Sequence, residues 1–272
     1  MTATPDFLTR IIEQKRVRLA RAMSLRSLGE VRGEALRVRS ESRPHALRAA
    51  LEGERNFNVI AEIKRASPSL GDIRRDASPA GVALRYEAGG AAAISILTEE
   101  DHFKGSLEDL RAVRAVTSLP LLRKDFIVDE WQLYEAAAAR ADALLLIVAA
   151  LEDATLARLR RIAEDELGMD ALVEVHTGEE LRRAAVCGAG IIGVNNRNLH
   201  TFEVSLETSV ELIGDAPPGA LLVSESGLRT HADLRRLKSL GYRGFLVGET
   251  LMRAGDPAGA LRALLAGESL TE

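Results

Sequence analysis

Six ionisable residues occupy equivalent places in the sequence, at or just beyond the ends of short apolar runs. They are Glu62, Lys64, Lys124, Glu174, Arg197 and Glu225. Three are basic and three are acidic, so together they can form a neutral cluster that moves protons. A single buried charge is often half of a structural ion pair, but six unpaired buried charges would be very costly. Their shared position therefore predicts an active site with acid and base groups.

Lysine is a rare residue in this chain, which otherwise uses arginine as its cation. Of 36 basic residues only five are lysines, at positions 15, 64, 104, 124 and 238. Arginine stays protonated under nearly all conditions, whereas lysine gives up its proton more readily. The presence of Lys64 and Lys124 in the cluster therefore strengthens the prediction of proton-transfer chemistry.

Strand alternation predicts that the cluster faces a common interior. Ile60, Glu62 and Lys64 share one face of a strand, and the apolar Ile60 marks that face as inward. The same parity groups Leu122 with Lys124 and Phe126, Leu172 with Glu174 and His176, Asn195 with Arg197 and Leu199, and Val223 with Glu225 and Gly227. For His176, a structural hydrogen-bonding role is at least as good an interpretation.

Eight apolar runs supply the strands that must position these residues. They begin near Val59, Ala92, Leu119, Ala143, Ala171, Ile191, Leu221 and Gly244, at separations of 20 to 33 residues. Each interval has room for a strand, a loop and a helix. Helix start signals follow the runs, at Ser78-Pro79, Asp129-Glu130, Thr177-Gly178-Glu179-Glu180 and Asp256-Pro257. The pattern predicts an α/β fold, a single (β/α)8 TIM barrel whose active site lies at the carboxyl ends of the strands.

The first 45 residues precede the barrel and have a helical pattern of their own. From Phe7 to Met23, apolar residues recur among charged ones, as expected of an amphipathic helix. No low-complexity linker follows. We therefore interpret residues 1–272 as one domain, in which residues 1–45 form a helical N-terminal extension that acts as a lid.

Two loops after the seventh and eighth runs have the position of a barrel phosphate site. Ser226-Gly227 and Gly248-Glu249 both contain a glycine that lets a ligand approach backbone N–H groups. The Glu249 carboxylate would repel phosphate, so we expect its N–H to bind while its side chain turns away. Ser67, in the first loop, is a further candidate.

Composition argues against nucleic-acid and membrane partners. The net charge is −4, and although residues 1–50 hold 11 Lys or Arg against 5 Asp or Glu, this excess is spread along helices without interleaved aromatic residues. No apolar run approaches the roughly 18 residues of a membrane span. We expect a soluble cytoplasmic protein.

Metal ions and cofactors are also not expected. The histidines are scattered, without an i, i+4 pair or companion cysteines, and the glycines lack dinucleotide-binding spacing. The sequence therefore predicts metal-free and cofactor-free chemistry on a small molecule.

A series of motifs resembles the indole-3-glycerol-phosphate synthase family. Residues 61–69, AEIKRASPS, resemble the family's first-strand motif. Further matches follow in order at residues 95–99, 122–126, 173–176, 193–199, 224–227 and 247–249, so that the resemblance covers residues 59–252, and the N-terminal extension also matches. Asn196 and Asn198 stand where serine and aspartate are familiar, and Thr250 where serine is common. These departures bear on phosphate contacts rather than on the reaction.

The resemblance implies a substrate and a role for each candidate residue. The substrate is 1-(2-carboxyphenylamino)-1-deoxyribulose 5-phosphate, an anthranilate-derived sugar phosphate, which becomes indole-3-glycerol phosphate, carbon dioxide and water in tryptophan biosynthesis. No obligate protein partner is implied. The resemblance implies that Lys124 is the general acid of ring closure, that Lys64 takes part in acid catalysis and anion binding, and that Glu174 is an acid–base group. Glu62 would orient Lys64, and Glu225 would orient the catalytic cations. Asn195 and Arg197 would bind the substrate, and Phe126 and Leu145 would enclose its aromatic ring.

Two other interpretations remain open from the residues alone. A Schiff-base aldolase, or another sugar-phosphate enzyme of the same fold, could use Lys64 or Lys124 as a nucleophile. That lysine must be deprotonated, and a carboxylate as close as Glu62 is to Lys64 favours the charged form. A binding protein without catalysis would need the phosphate loops but not two lysines among three carboxylates.

Overall fold

A computed structural model describes residues 7–68, 71–199 and 201–267 of the chain. Residues 1–6 of the predicted extension, Ser69 of the first-strand motif and His200 lie outside the described residues. Eight strands form the centre of the molecule. They are β1 (Val59–Ile63), β2 (Ala93–Leu97), β3 (Leu121–Lys124), β4 (Ala143–Ile147), β5 (Asp170–Val175), β6 (Ile191–Asn195), β7 (Leu221–Glu225) and β8 (Gly244–Val247).

All eight strands are parallel and each pairs with its neighbours in the sequence. β8 also pairs with β1, through Val59 opposite Phe245 and Ala61 opposite Val247, so the sheet closes into a barrel. The strands begin within two residues of the predicted positions. The (β/α)8 fold class is therefore confirmed. A short hairpin in the first loop pairs Ala66–Ser67 with Gly71–Asp72.

The helices lie outside the barrel and before it. Within the described residues they are α1 (Phe7–Leu25), α2 (Leu28–Ser40), α3 (Ala46–Glu52), α4 (Pro79–Ala88), α5 (Leu107–Arg114), α6 (Glu130–Ala138), α7 (Asp153–Arg161), α8 (Gly178–Val186), α9 (Glu207–Leu212), α10 (His231–Leu240), α11 (Glu249–Arg253) and α12 (Pro257–Ala266). Side chains of Ser78, Asp129, Thr177 and Asp256 cap α4, α6, α8 and α12 by accepting backbone N–H bonds, as the start signals predict. None of the described helices is long and apolar enough to span a membrane.

Two apolar layers hold the barrel together. The larger lies between strands and outer helices and includes fully buried residues such as Tyr86, Ile94 and Leu146. The smaller fills the barrel interior, where Ile60, Leu122 and other inward residues meet. The inward-facing side chains are therefore apolar at the beginnings of the strands and polar at the ends of the strands.

Helix α3 closes the amino-terminal end of the barrel. Leu47 and Leu51 are fully buried and belong to the same interior cluster as Ile60 and Val223. The predicted extension ended at residue 45, so this helix begins just beyond it. The amino-terminal end is therefore filled with hydrocarbon, which leaves the opposite end as the open mouth.

Helix α2 is attached firmly to the side of the barrel. Val31 and Ala35 are fully buried where α2 packs against α6. The buried Arg39 guanidinium donates to the carbonyl oxygens of Leu167 at 2.8 Å and of Gly168 at 3.0 Å. The helix therefore satisfies carbonyl groups of the barrel wall, a structural role rather than that of a lid.

Helix α1 lies at the mouth and is joined to it by a buried ion pair. Lys15 Nζ lies 2.8 Å from Asp125 Oδ1, and the two side chains are only 8% and 1% exposed. Burial alone would raise the pKa of Asp125, but the charges of Arg123 and Lys15 outweigh burial and lower it. Because Asp125 follows Lys124, the pair joins the helix to the end of β3.

We predict that Lys15→Met detaches α1 without unfolding the barrel. A hydrogen bond to a charged group contributes about 1.5–3 kcal/mol, which corresponds to roughly 10- to 100-fold in an opening equilibrium. Hydrogen exchange of the α1 amides should accelerate by about that factor, while the barrel strands keep their protection. Arg18→Met is the matched control, because Arg18 pairs with Asp101 from the exposed face of the same helix. Equal exchange in both variants would show that Lys15 does not hold the helix.

Candidate active site

A cavity of about 380 Å³ opens at the carboxyl ends of the strands. The fourteen residues that the sequence assigns to the site all line it. They are Glu62, Lys64, Ser67, Lys124, Phe126, Leu145, Glu174, Asn195, Arg197, Glu225, Ser226, Gly227, Gly248 and Glu249. Because these residues come from seven strand ends and their loops, the closed sheet brings together groups that are distant in sequence.

Lys124 occupies the centre of the charged floor. From the last position of β3, its ammonium donates to Glu174 Oε2 at 2.9 Å and to Glu225 Oε2 at 2.6 Å. Burial disfavours the charged amine, but the two carboxylates outweigh burial and raise the pKa of Lys124 well above its ordinary value. At neutral pH the site therefore holds an ammonium ion with two aligned acceptors.

Glu174 is buried in β5 between two cations. Its Oε2 accepts from Lys124, and its Oε1 lies 3.3 Å from His176 Nε2. Burial would raise the pKa of Glu174, but Lys124 and His176 outweigh burial and hold it well below its usual range. Glu174 is therefore a carboxylate in the resting site.

Glu225, in β7, has less favourable surroundings for a charged carboxylate than Glu174. Burial, together with repulsion from Glu174 and Glu62, outweighs the attraction of Lys124 and raises the pKa of Glu225 above its ordinary value. Its Oε1 has no hydrogen-bond partner among the described residues. The two acceptors of Lys124 therefore differ, because neighbouring cations lower the pKa of Glu174 whereas burial beside other carboxylates raises that of Glu225.

Lys64 forms a second pair, nearer to solvent. Its ammonium lies 2.7 Å from Glu62 Oε1, and its side chain is 17% exposed against 11% for Lys124. Glu62 is buried at the end of β1, whereas Lys64 follows the strand. The two lysines therefore have different surroundings, one carboxylate partner for Lys64 and two for Lys124.

Two glycines make room for the carboxylates of the floor. A Cβ atom at Gly193 would overlap Glu225 Oε1, and one at Gly248 would overlap Glu62 Oε1. Gly248 was singled out as a phosphate-loop residue, but the role of Gly193 in the middle of β6 was not foreseen. Only the register of β6 beside β7 reveals it.

The loops after β7 and β8 form the polar rim. Ser226 and Gly227 both have positive φ, at 66° and 81°, which turns the chain sharply over the pocket. Glu249, at the start of α11, pairs with Arg253 at 3.4 Å, so its carboxylate is engaged within its own helix. Arg229 and Arg253 also line the cavity and were missed, because nothing in their loop sequences distinguishes them from other surface arginines.

The apolar wall of the cavity is larger than the sequence indicated. Phe126 and Leu145 line it as expected, and the Phe103 ring lies 6.4 Å from that of Phe126. Phe7 from α1 and Phe202 add a second aromatic pair, with ring centroids 5.3 Å apart. Phe103 and Phe202 lie in loops, where periodicity gives no direction to a side chain. The cavity therefore has an aromatic wall, partly supplied by α1, against which a flat aromatic group can pack.

The described part of the chain contains no cluster of three or more His, Cys, Asp or Glu residues arranged to hold a metal ion. Three carboxylates of the pocket floor, those of Glu62, Glu174 and Glu225, instead face lysines. What the arrangement offers is therefore two ammonium donors, carboxylate acceptors, an aromatic wall and a polar rim.

Comparison with known proteins identifies one family. The family model for indole-3-glycerol phosphate synthase matches residues 8–264. A relative of that name from Carboxydothermus hydrogenoformans is 47% identical over 267 residues, covering 96% of this chain and 100% of its own. Another from Aromatoleum aromaticum is 46% identical over 263 residues, covering 95% of this chain and 98% of its own.

Solved structures agree on the fold. Thiamine phosphate pyrophosphorylase from Pyrococcus furiosus superposes with a TM-score of 0.59 at 19% identity, covering 83% of this chain and 100% of that one. N-acetylmannosamine-6-phosphate 2-epimerase from Clostridium perfringens gives 0.57 at 16% identity, covering 74% and 89%. At such identities the likeness shows the barrel alone.

We predict that Gly193→Ala destabilises the protein, against the usual effect of this exchange. Glycine to alanine at an unstrained site commonly stabilises by about 0.4–1 kcal/mol. At Gly193 the new methyl group meets the Glu225 carboxylate, so a loss of about 1–3 kcal/mol is expected. Urea unfolding measures it, with Gly214→Ala as control because no atom lies within 4 Å of a Cβ there. A Gly193→Ala protein as stable as the control would contradict this packing.

Proposed function

The chain belongs to the indole-3-glycerol phosphate synthase family, and we propose that Lys124, Glu174, Lys64 and Glu62 perform its chemistry. As a member of that family the protein is a carboxy-lyase of tryptophan biosynthesis. It closes the indole ring of 1-(2-carboxyphenylamino)-1-deoxyribulose 5-phosphate, with loss of carbon dioxide and water. The proposed roles divide the proton transfers of this reaction among the four side chains.

The cavity offers a complementary surface to each part of this substrate. The benzene ring suits the wall formed by Phe103, Phe126 and Leu145. The phosphate suits the backbone N–H groups of Ser226 and Gly227 and of Gly248 and Glu249, with Ser67 beside them. Asn195 and Arg197 line the space between, where the sugar hydroxyls and the carboxylate must lie.

Ring closure joins the ring carbon that bears the carboxylate to the ketone carbon of the sugar. The ketone oxygen gains negative charge as the bond forms and takes a proton. Lys124 is the donor that supports this step best, because it is an ammonium held by Glu174 and Glu225. This central ion cluster is the observation that carries the proposal.

The later steps need the other groups. Departure of carbon dioxide returns an electron pair to the ring and restores the amine. Dehydration then removes the hydroxyl as water, which needs one added proton, and transfers one of the two protons of the adjacent ring carbon to a base. Glu174 is the proposed base and proton carrier, and its 2.9 Å contact with Lys124 allows it to reprotonate the lysine. Lys64, oriented by Glu62, is the second acid and anion partner.

The arrangement does not suit a Schiff-base aldolase. Such an enzyme needs a neutral amine as its nucleophile. Two carboxylates outweigh burial and keep the pKa of Lys124 raised, so the neutral form is scarce. Borohydride with substrate should therefore leave Lys124 unlabelled.

We further propose that the protein works in the cytoplasm without an obligate protein partner. The support for independence is that the groups needed for the proposed steps, the two ammonium donors, the carboxylates, the aromatic wall and the polar rim, all line one cavity of this chain. Sedimentation of the purified enzyme during turnover would test whether this chain is active without another protein.

The direct test of the reaction uses purified protein, the carboxyphenylamino substrate and EDTA. Indole fluorescence should rise with time whether or not EDTA is present, because the proposed steps use only side chains of the protein. A rise that EDTA abolishes would overturn the metal-free assignment, and no rise in either condition would overturn the assignment of the substrate.

We predict that Lys124→Arg keeps binding but loses turnover. Arginine preserves the positive charge, but with a pKa above about 12 and a planar fork it is a poor proton donor. The value of kcat should fall by about 10²–10⁴-fold, while the Kd of a product analogue changes much less. Lys238→Arg is the matched control, because Lys238 contacts Asn56 outside the cavity. If Lys124→Arg retains most of its turnover, Lys124 supplies charge and not a proton.

A further inference from the structure

We propose that His176 is a positioning residue for the reaction, a cation behind Glu174 that keeps this carboxylate ionised and directed at Lys124. His176 does not line the cavity, so it acts through Glu174 and not on the substrate. The proposal rests on the acid–base role given to Glu174 above. From the sequence alone, His176 could have either a structural or a functional role.

The two oxygens of Glu174 have separate cationic partners. Oε2 accepts from Lys124 at 2.9 Å, and Oε1 lies 3.3 Å from His176 Nε2. The contact with His176 is an ion pair rather than an aligned hydrogen bond, since Nε2 does not meet hydrogen-bond geometry. The charge of the ring is therefore its main contribution to Glu174.

The chain builds this ring position at the junction of β5 and α8. His176 follows the strand, Thr177 caps the helix, and Glu180 lies in the first helical turn. Glu180 Oε2 accepts from the His176 backbone N–H at 2.7 Å and lies 3.1 Å from ring Nδ1. Glu180 thus fixes the ring from behind and leaves Nε2 facing Glu174.

Electrostatics favour the charged ring. Burial disfavours the imidazolium, but Glu174 and Glu180 outweigh burial and raise the pKa of His176 to about 10. The charged groups that face Glu174 are Lys124 from β3 and His176, with Glu225 from β7 on the far side of Lys124. The residues in register with Glu174 on the flanking strands, Ile147 and Gly193, carry no charge. His176 is thus one of the two positive neighbours that Glu174 has within the described residues.

The charge of His176 influences where a proton on Glu174 goes. Once Lys124 has given its proton to the substrate and is neutral, His176 is the cation that remains beside Glu174 and disfavours a proton on its carboxyl group. Lys124, once it has given its own proton to the substrate, is the acceptor 2.9 Å away. His176 therefore favours transfer of the proton from Glu174 to Lys124 over its retention on Glu174.

The test is the pKa of the Glu174 carboxyl group in His176→Gln, which keeps a neutral amide near Glu174 but removes the charge. The pKa is read from the side-chain carboxyl NMR signal of Glu174 during titration with acid. An opposite charge within about 4–6 Å lowers a carboxyl pKa by about 1–3 units, so the Glu174 pKa should rise by about 1–3 units in this variant. A Glu174 pKa that stays in place in folded His176→Gln would overturn the proposal.

Glu180→Gln is the matched control for disturbance of the turn. Its amide oxygen can still accept from His176, and the ring keeps its charge beside Glu174, so the Glu174 pKa should not rise. If the two variants shift alike, the effect belongs to the turn, and the proposal is wrong.

Glu174→Gln separates the two proposals and does not depend on the folding of His176→Gln. Coupling between two sites is reciprocal, so removing the Glu174 charge should lower the His176 pKa, read from its imidazole NMR signals, by at least about one unit. The same variant should lose about 10²–10⁴-fold in turnover if Glu174 does acid–base work. Retained turnover would refute the role of Glu174, whereas lost turnover with an unchanged His176 pKa would refute the role of His176 alone.

Discussion

The interaction on which the site depends is the burial of one ammonium between two carboxylates at the open end of a barrel. Lys124, Glu174 and Glu225 are all buried, and an isolated charge at such depth costs several kcal/mol. Each charge is therefore tolerable only because the others are in place. This mutual requirement fixes the register of β3, β5 and β7, since moving any of these strands by one residue would turn its charged side chain outward and leave its partners unpaired.

The rest of the barrel keeps this cluster dry on one side and accessible on the other. Leu47 and Leu51 of α3 seal the amino-terminal end, and apolar side chains fill the interior up to the level of the charges. Glycines then provide the space that carboxylates need, Gly193 beside Glu225 and Gly248 beside Glu62. Hydrocarbon below and α1 above lower the local polarity, which strengthens every ion pair between them.

The fold and the buried charged residues of the site could be predicted from the sequence, because both follow from the period-two alternation of strands. Parity places Lys124, Glu174 and Glu225 on the interior face, and the order of the strands places them at one mouth. It does not give which carboxylate meets which lysine, because that depends on stagger between strands. Strand alternation also does not predict where side chains of the loops and of the helices before the barrel lie. Phe103, Phe202 and the plug formed by α3 have no periodic signal that ties them to the mouth or the base of a barrel.

The charges of the pocket are segregated in a way that an anionic substrate requires. Carboxylates at the floor would repel the phosphate and the carboxylate of the substrate if they pointed into the cavity. Instead Glu62 faces Lys64, Glu174 and Glu225 face Lys124, and Glu249 at the rim faces Arg253. Lys64 thereby screens Glu62, Arg253 screens Glu249, and the shared Lys124 screens Glu174 and Glu225. The backbone N–H groups of the rim are left to the phosphate. The floor can therefore hold bases strong enough for proton transfer without excluding the anion on which they act.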